Sequence, residues 1–109
     1  MAWKWYEIVS YKAEVGGSDY YYGNVQLMGN GFYAVLKFQK SGPLPIATAP
    51  IVAGVQRFYG YMDYQQIQMF VDLLRNEKPV NFGWDDADLK SFQLMTGAEP
   101  VGEGDGLII

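Results

Sequence analysis

The sequence predicts an α+β fold: a mostly antiparallel sheet, in the element order β-β-β-β-α-β-β, with one main helix packed on one of its faces. Two observations lead to this class. Most of the chain alternates apolar and polar residues with the period of two that is typical of strands, and residues 62–76 carry the one strong helical pattern. Because a helix with one apolar stripe has to bury it, the strands are expected to supply the sheet that receives it.

The first predicted strand covers residues 3–15, and its length is unusual. Thirteen alternating residues at ~3.3 Å each would span ~43 Å. A compact domain of this size has a diameter of only about 35 Å. We therefore expect this strand to bend; a contact of its end with another subunit ranks next, and a break into two strands is the remaining possibility.

The middle of the chain predicts three further strands. A strand that follows Gly23 and ends at Met28 is joined to a strand over residues 32–40 by Asn30-Gly31, a dipeptide that favours a type I′ hairpin turn. Residues 41–50 contain three prolines and are expected to form an ordered connection that carries the chain across the domain. A fourth strand is expected at about 51–61, where Gly54 and Gly60 indicate bulges or a close approach of another backbone.

The helix is predicted from its two ends and its apolar stripe. Asp63 is a good N-cap, since its carboxylate can accept a hydrogen bond from a first-turn N–H group. Pro79 cannot continue a helix and disfavours helical backbone angles at the residue before it. The apolar stripe at i, i+3, i+4 and i+7 consists of Ile67, Phe70, Val71 and Leu74.

After the helix, the alternation of Val80, Phe82 and Trp84 predicts a fifth strand. Residues 85–88 are expected to turn the chain, and residues 89–96 to return as a sixth strand. The alternative is a short helix over residues 87–95 that Asp86 would cap. The hairpin is favoured because the returning segment lacks a helical stripe.

The 109 residues, half of them apolar, suffice for a single domain, 1–109, with its own core. Residues 1–84 carry seven basic and six acidic side chains, a net charge of +1. Residues 85–109 carry six acidic side chains and one lysine, a net charge of −5, and end in an acidic, glycine-rich segment over 97–109. The acidic charge favours solubility, with a site for a cation or a basic partner as the alternative.

The composition also restricts the chemistry. The chain has no histidine and no cysteine, which excludes Ser-His-Asp and Cys-His catalysis and thiolate metal sites. It contains no phosphate-binding or nucleophile motif, and no pattern indicates a cofactor. The sequence therefore favours a protein that is not an enzyme. No basic region precedes an apolar run at the start, and no apolar stretch approaches the ~20 residues that a membrane span needs, so a soluble cytoplasmic protein without membrane partners is expected.

Three aspartates are the candidate metal ligands. Asp85, Asp86 and Asp88 are closely spaced on the predicted turn, and carboxylate oxygens are the ligands that Mg²⁺ and Ca²⁺ prefer. The spacing does not match a calcium loop, since Lys90 stands where another oxygen ligand is wanted. A polar hairpin turn is the simpler interpretation.

Aromatic and basic residues form the second candidate. If the strands over 32–40 and 51–61 pair, one side of the sheet carries Tyr33, Lys37, Arg57, Tyr59 and Tyr61. Tyrosines interleaved with cations are typical of surfaces that bind single-stranded nucleic acid. Tyrosine is also enriched at protein interfaces, and the nearly neutral body of the chain favours that second interpretation.

These observations favour a small, non-catalytic, self-associating protein-interaction module. One helix cannot cover six strands, so apolar sheet surface should remain for a second copy, and a homodimer is expected. One alternative is a domain that binds a small ligand or metal through its acidic C-terminal loops. The other is single-stranded nucleic-acid binding through the Tyr/Arg/Lys face, although nucleic acid is the less favoured partner.

Overall fold

The structure is a computed structural model, and it describes residues 2–16 and 21–96. Within these ranges the chain forms eight strands and one α-helix, which confirms the α+β class. The elements are β1 (Trp3–Glu7), β2 (Ser10–Val15), β3 (Tyr21–Gly29), β4 (Phe32–Gln39), β5 (Ile51–Val52), β6 (Val55–Asp63), a 3-10 turn (Tyr64–Gln66), α1 (Ile67–Asn76), β7 (Val80–Asp85) and β8 (Asp88–Thr96). The acidic segment 97–109 lies outside the described residues.

The strands form two sheets rather than one. A three-stranded antiparallel sheet has the order β1-β7-β8, and a five-stranded sheet has the order β2-β3-β4-β6-β5. In the five-stranded sheet β4 and β6 are parallel, and the other neighbours are antiparallel. The sheets pack face to face, since β6 contacts both β7 and β8 through aromatic rings.

The long first strand breaks in two, so the expected bend is wrong. The break falls at Ile8 and Val9, which separate β1 from β2. The Ile8 N–H donates to the Val80 carbonyl at 2.8 Å, in the three-stranded sheet, and the Val9 N–H donates to the Met28 carbonyl at 2.8 Å, beside the five-stranded one. Adjacent residues are thus bound to different sheets, and neither strand extends beyond the domain.

The helix begins and ends as the sequence predicts. The Asp63 carboxylate accepts a hydrogen bond from the Gln65 N–H at 2.9 Å, which confirms the N-cap. The helical segment opens with one 3-10 turn and ends at Asn76, before Pro79. Phe70 is buried and meets the ring of Phe38 edge-on, with 5.8 Å between centroids. This contact places the helix on the inner face of the five-stranded sheet.

The three-stranded sheet covers the other part of that inner face. Trp84 on β7 is fully buried, and its ring lies 5.8 Å from Phe32 and 5.1 Å from Phe58. Tyr6 on β1 stacks on Phe32 at 4.5 Å. The apolar surface that the helix alone leaves uncovered is therefore covered by a second sheet of the same chain, and the predicted homodimer needs another basis.

The two hairpins at the centre and the end of the chain are confirmed. Asn30-Gly31 joins β3 to β4, and residues 86–87 join β7 to β8, so the alternative helix over 87–95 is wrong. The turn type at Asn30-Gly31 differs from the prediction. Gly31 has a φ of +70°, but Asn30 does not have a positive φ, so this is not a type I′ turn.

Two consecutive positive φ angles occur instead at Ala53 and Gly54, with φ of 52° and 80°. This two-residue turn divides the strand predicted at 51–61 into β5 and β6. Gly60, by contrast, lies inside β6, where side chains of both sheets pack closely against its backbone. A Cβ atom there would lie 3.0 Å from a Leu36 side-chain atom and 3.4 Å from the Phe92 ring.

Ala53 provides a test of this turn. An L-residue other than glycine pays about 1–2 kcal/mol in the left-handed region, and asparagine tolerates it better than alanine. We expect Ala53→Asn to raise the free energy of unfolding by about 0.5–1 kcal/mol in urea denaturation. The control is Ala87→Asn, at an exposed turn residue without a positive φ, which should change it little. Equal effects of the two substitutions would contradict the turn geometry.

The proline-containing connection crosses the domain as predicted. It carries the chain from the end of β4 to the far edge of the sheet, where Thr48 and Tyr59 exchange backbone hydrogen bonds of 2.8 and 2.9 Å. β5 follows the connection at that edge, and β6 then lies between β5 and β4. The buried Gln39 amide holds the start of the connection, since it donates to the carbonyls of Ser41 and Pro43 at 2.7 and 3.0 Å.

Candidate functional site

The structure brings the predicted aromatic and basic residues together on one side of a sheet. Pairing of β4 with β6 places Tyr33 beside Arg57 and Lys37 beside Tyr61, with Tyr59 between them on β6. The residues that alternate with them, such as Ala34, Leu36 and Phe58, are buried on the inner side. We call this surface the tyrosine face: Tyr33, Lys37, Arg57, Tyr59 and Tyr61.

Arg57 is at the centre of the contacts on the tyrosine face. Its guanidinium carbon lies 5.7 Å from the centroid of the Tyr33 ring, within the range of a cation–π interaction. Its Nη1 group donates to the Tyr59 hydroxyl at 3.1 Å. Its Nε atom is buried and has no hydrogen-bond partner among the described residues. The guanidinium is therefore held by two tyrosines and retains an unused donor.

The tyrosine face extends onto β3, which the sequence interpretation did not include. The Tyr33 hydroxyl donates to the Gln26 side-chain oxygen at 3.3 Å, and the Lys37 ammonium lies 5.1 Å from the Tyr21 ring centroid. The alternation of Asn24 and Gln26 with buried Val25 and Leu27 is the signal that could have identified the polar residues. Tyr21 was harder to assign, because the register shifts between Tyr21 and Gly23.

The charge on this side of the sheet is weakly positive, because Lys37 and Arg57 outnumber Asp63, which lies at the end of β6 two residues after Tyr61. Lys12 and Glu14 lie on β2 opposite Gln26 and Asn24, on the same side as the tyrosine face. Their side chains form an ion pair at 3.7 Å, so they neutralise each other. Lys37 and Arg57 remain without an acidic partner within 4.0 Å among the described residues. The whole chain carries −4, so this positive surface contrasts with the rest of the protein.

The three aspartates have separate structural roles. Asp85 is buried, and its Oδ1 accepts from the Ala87 N–H at 2.9 Å and from the Ala2 N–H at 3.4 Å. Asp86 lies 3.6 Å from the Lys4 ammonium, and Asp88 accepts from the Lys90 N–H at 3.2 Å. These contacts fix the β7–β8 turn and attach the start of the chain to it.

Across residues 2–16 and 21–96, no three acidic side chains converge in an arrangement that could hold a metal ion. The metal site at Asp85, Asp86 and Asp88 stays a prediction without geometric support. The acidic side chains of 97–109 lie outside the described residues.

A groove of about 780 Å³ lies where the two sheets meet the end of the helix. It is lined by Glu7 to Tyr11, at the junction of β1 and β2, and by Leu74 to Val80. Its charged side chains are of both signs, with Glu7 and Glu77 against Arg75 and Lys78. This mixture indicates no particular ligand, and the tyrosine face is the better candidate for a binding site.

Comparison of the chain with protein-family models, with curated proteins and with solved structures gave no match. In the described part of the chain, no helix has the length and the apolar character needed to cross a membrane.

Proposed function

We propose that this protein is a non-catalytic protein-interaction module and that the tyrosine face is its binding surface. The observation that supports the proposal best is the arrangement of Arg57 between the Tyr33 ring and the Tyr59 hydroxyl on an outward side of the five-stranded sheet. The absence of histidine and cysteine from the sequence supports the non-catalytic part.

The chemistry of the tyrosine face suits a protein partner. Tyrosine and arginine are enriched at the centres of protein interfaces, where they provide most of the binding energy. Tyrosine contributes a large apolar ring and a hydroxyl, and it loses little conformational freedom because it has two side-chain torsions. The face has three tyrosines around two cations, on a rigid sheet that needs little reorganisation on binding.

Arg57 also indicates the chemistry that the partner supplies. Its guanidinium has five N–H donors, of which the described residues use one, on Nη1. A rotation of the side chain toward a partner therefore sacrifices one hydrogen bond to Tyr59 and releases the unpartnered Nε. A carboxylate can accept two hydrogen bonds from a guanidinium in a bidentate pair. We infer that the partner presents an acidic residue next to apolar or aromatic ones.

Single-stranded nucleic acid is the alternative that the same residues raise. The affinity of a protein for single-stranded nucleic acid comes mainly from cationic side chains that neutralise the phosphates. The face offers two cations that have no acidic partner in the described part of the chain, and the whole chain carries −4, which repels a polyanion. A protein segment needs only one or two well-placed charges, so the protein partner is favoured.

The test is a selection of phage-displayed linear peptides on the wild-type protein, with affinities of the enriched peptides measured by calorimetry. We expect acidic peptides with aromatic residues to be enriched. Arg57→Ala should weaken their binding by about 2 kcal/mol or more, because it removes a charge-assisted hydrogen bond at the centre of the surface. Arg75→Ala, which removes the same charge from the exposed end of α1, should leave the affinity unchanged.

Peptides that bind Arg57→Ala and the wild type equally would contradict the proposed surface. A labelled oligothymidylate, titrated at low salt, covers the alternative. If the wild type binds the oligonucleotide and Arg57→Ala does not, the partner of the tyrosine face is nucleic acid and not a protein.

A further inference from the structure

The two cations of the tyrosine face lie at opposite ends of it. β4 and β6 are parallel neighbours, and Arg57 lies beside Tyr33, whereas Lys37 lies four residues further along β4. At ~3.3 Å per residue, the rows of the two cations are about 13 Å apart along the sheet. The row midway between them consists of Val35 and Tyr59, which are both uncharged. A ligand that contacts both cations therefore has to be longer than a single side chain.

A depression of about 320 Å³ lies at the Lys37 end of the tyrosine face. Tyr21, Asn24 and Lys37 are among the residues that line it, and it lies where the register of β3 shifts between Tyr21 and Gly23. The Asn24 side-chain oxygen accepts from the Gln26 amide at 3.3 Å, a bond that does not use the Asn24 amino group. The Lys37 ammonium and this amino group are both donors that suit an anionic oxygen.

The two carboxylates near this depression have partners of their own. Glu14, which also lines it, forms an ion pair with Lys12 at 3.7 Å. Asp63 at the end of β6 accepts from the Gln65 N–H at 2.9 Å, as the N-cap of the helical segment. Lys37 has no carboxylate within 4.0 Å among the described residues. Its charge is therefore left for a carboxylate that a partner supplies.

We propose that the depression at Lys37 is a second subsite of the tyrosine face and that it binds a second carboxylate of the same partner. The inference rests on the proposed function, in which Arg57 binds the first carboxylate. An extended chain advances ~13 Å in four residues and presents residues i, i+2 and i+4 on one side. The partner is therefore an extended segment with two acidic residues four positions apart. The residue midway between them lies over Val35 and Tyr59, where an apolar side chain fits.

An extended segment matches the spacing of the two cations better than a helix does. A helix brings a residue back to the same side after seven positions, which corresponds to a rise of only about 10.5 Å. Nine positions cover the distance, but they place the second residue on the opposite side of the helix. The helical alternative is thus distinguished by the spacing of the acidic residues alone.

The second contact is expected to increase the affinity moderately. An ion pair with an exposed lysine contributes little by itself, because water and salt screen it. Once Arg57 holds the first carboxylate, however, the second is kept at a high effective concentration next to Lys37. We expect a gain in affinity of about three- to fivefold over a peptide with one acidic residue.

The test moves one glutamate along a peptide that binds Arg57. Starting from the tightest peptide of the selection, the acidic residue that depends on Arg57 is kept, and a glutamate exchanges places with a glutamine to give spacings of two, four, six or seven residues on either side. Calorimetry should show the tightest binding at a spacing of four. Lys37→Met, which removes the charge and keeps an unbranched side chain beside Tyr21, should abolish this preference. It should leave the affinity of the peptide with one acidic residue unchanged, which also shows that the fold is retained.

Lys90→Met, which removes the same charge from an exposed residue of β8, is the control and should leave the preference intact. Peptides that depend on Arg57 but bind equally at every spacing would overturn the subsite and leave the proposed function in place. So would an equal loss of affinity for all peptides in Lys37→Met. Tightest binding at a spacing of seven would overturn the extended segment. If no peptide binds in a manner that depends on Arg57, the proposed function and this inference are both wrong.

Discussion

Replacement of Trp84 by alanine is expected to lower the free energy of unfolding by about 3–5 kcal/mol. The side chain is fully buried at the contact between the two sheets, where it meets Tyr6, Phe32 and Phe58 at centroid distances of 5.7, 5.8 and 5.1 Å. Alanine would remove these contacts and leave a cavity that two hydrogen-bonded sheets cannot close. Equilibrium unfolding in urea, followed by far-UV circular dichroism, measures the loss.

Trp84→Phe is the matched control for this prediction. The Trp84 Nε1 atom is buried and has no hydrogen-bond partner in residues 2–16 and 21–96, so the indole N–H contributes a desolvation cost rather than a bond. Phenylalanine keeps an aromatic ring at the sheet contact and removes that donor. We expect it to cost less than about 1.5 kcal/mol. A similar loss for phenylalanine and alanine would mean that the N–H group, and not the packing, stabilises this position.

The second large effect is expected at Phe70, with a loss of about 3–5 kcal/mol for Phe70→Ala. Phe70 is buried on the apolar stripe of α1 and contacts Phe38 of β4 edge-on. This contact attaches the helix to the inner face of the five-stranded sheet. The same urea titration applies, and thermal unfolding should show a corresponding decrease in Tm.

Gln68→Ala tests whether the effect at Phe70 comes from burial or from the helix itself. Gln68 is exposed, and its side chain makes one hydrogen bond of 3.2 Å to Asp72 on the helix surface. Alanine has the higher helix propensity, so the change should lie within about 0.5 kcal/mol of the wild type. If Phe70→Ala were as mild as Gln68→Ala, the helix would not be packed through this stripe.

The local features of the fold could be predicted because neighbouring residues determine them. Asp63 and Pro79 define the ends of the helical segment through a cap and a missing N–H group, both of which act within one turn. The hairpin between β7 and β8 follows from the alternation of Val80, Phe82 and Trp84 and from the polar turn after them. Each of these signals is complete within a short stretch of sequence.

The division into two sheets could not be predicted in this way. Ile8 and Val9 continue the alternation and are apolar, so the sequence contains no turn residue at the point where the chain leaves one sheet for the other. The break depends on the partners of β1 and β2, and β1 pairs with residues 81–85, far away in the sequence. The turn at Ala53-Gly54 was missed for a different reason, because alanine is uncommon at a positive φ.

The candidate site was predicted in part. Alternation along β4 and β6 is enough to place Tyr33, Lys37, Arg57, Tyr59 and Tyr61 on one side once those two strands pair. Alternation cannot give the direction in which two strands pair. β4 and β6 are parallel because the chain between them returns to the end of the sheet at which β4 begins, so that Gln56 lies beside Phe32. Gln26 was missed although its alternation with Val25 and Leu27 indicates its side of the sheet, whereas Tyr21 was missed because the register of β3 shifts between Tyr21 and Gly23.

The two sheets can be completed at different times during synthesis of the chain. Residues 10–63 contain every strand of the five-stranded sheet, whereas the sheet that covers it joins β1 to β7 and β8 from the other end of the chain. On the ribosome, the inner face with Leu27, Leu36 and Phe58 is complete before residues 80–96 have emerged. The nascent protein therefore exposes an apolar surface until those residues emerge. Refolding from denaturant should be limited by the late pairing of β1 with β7, which are far apart in the sequence.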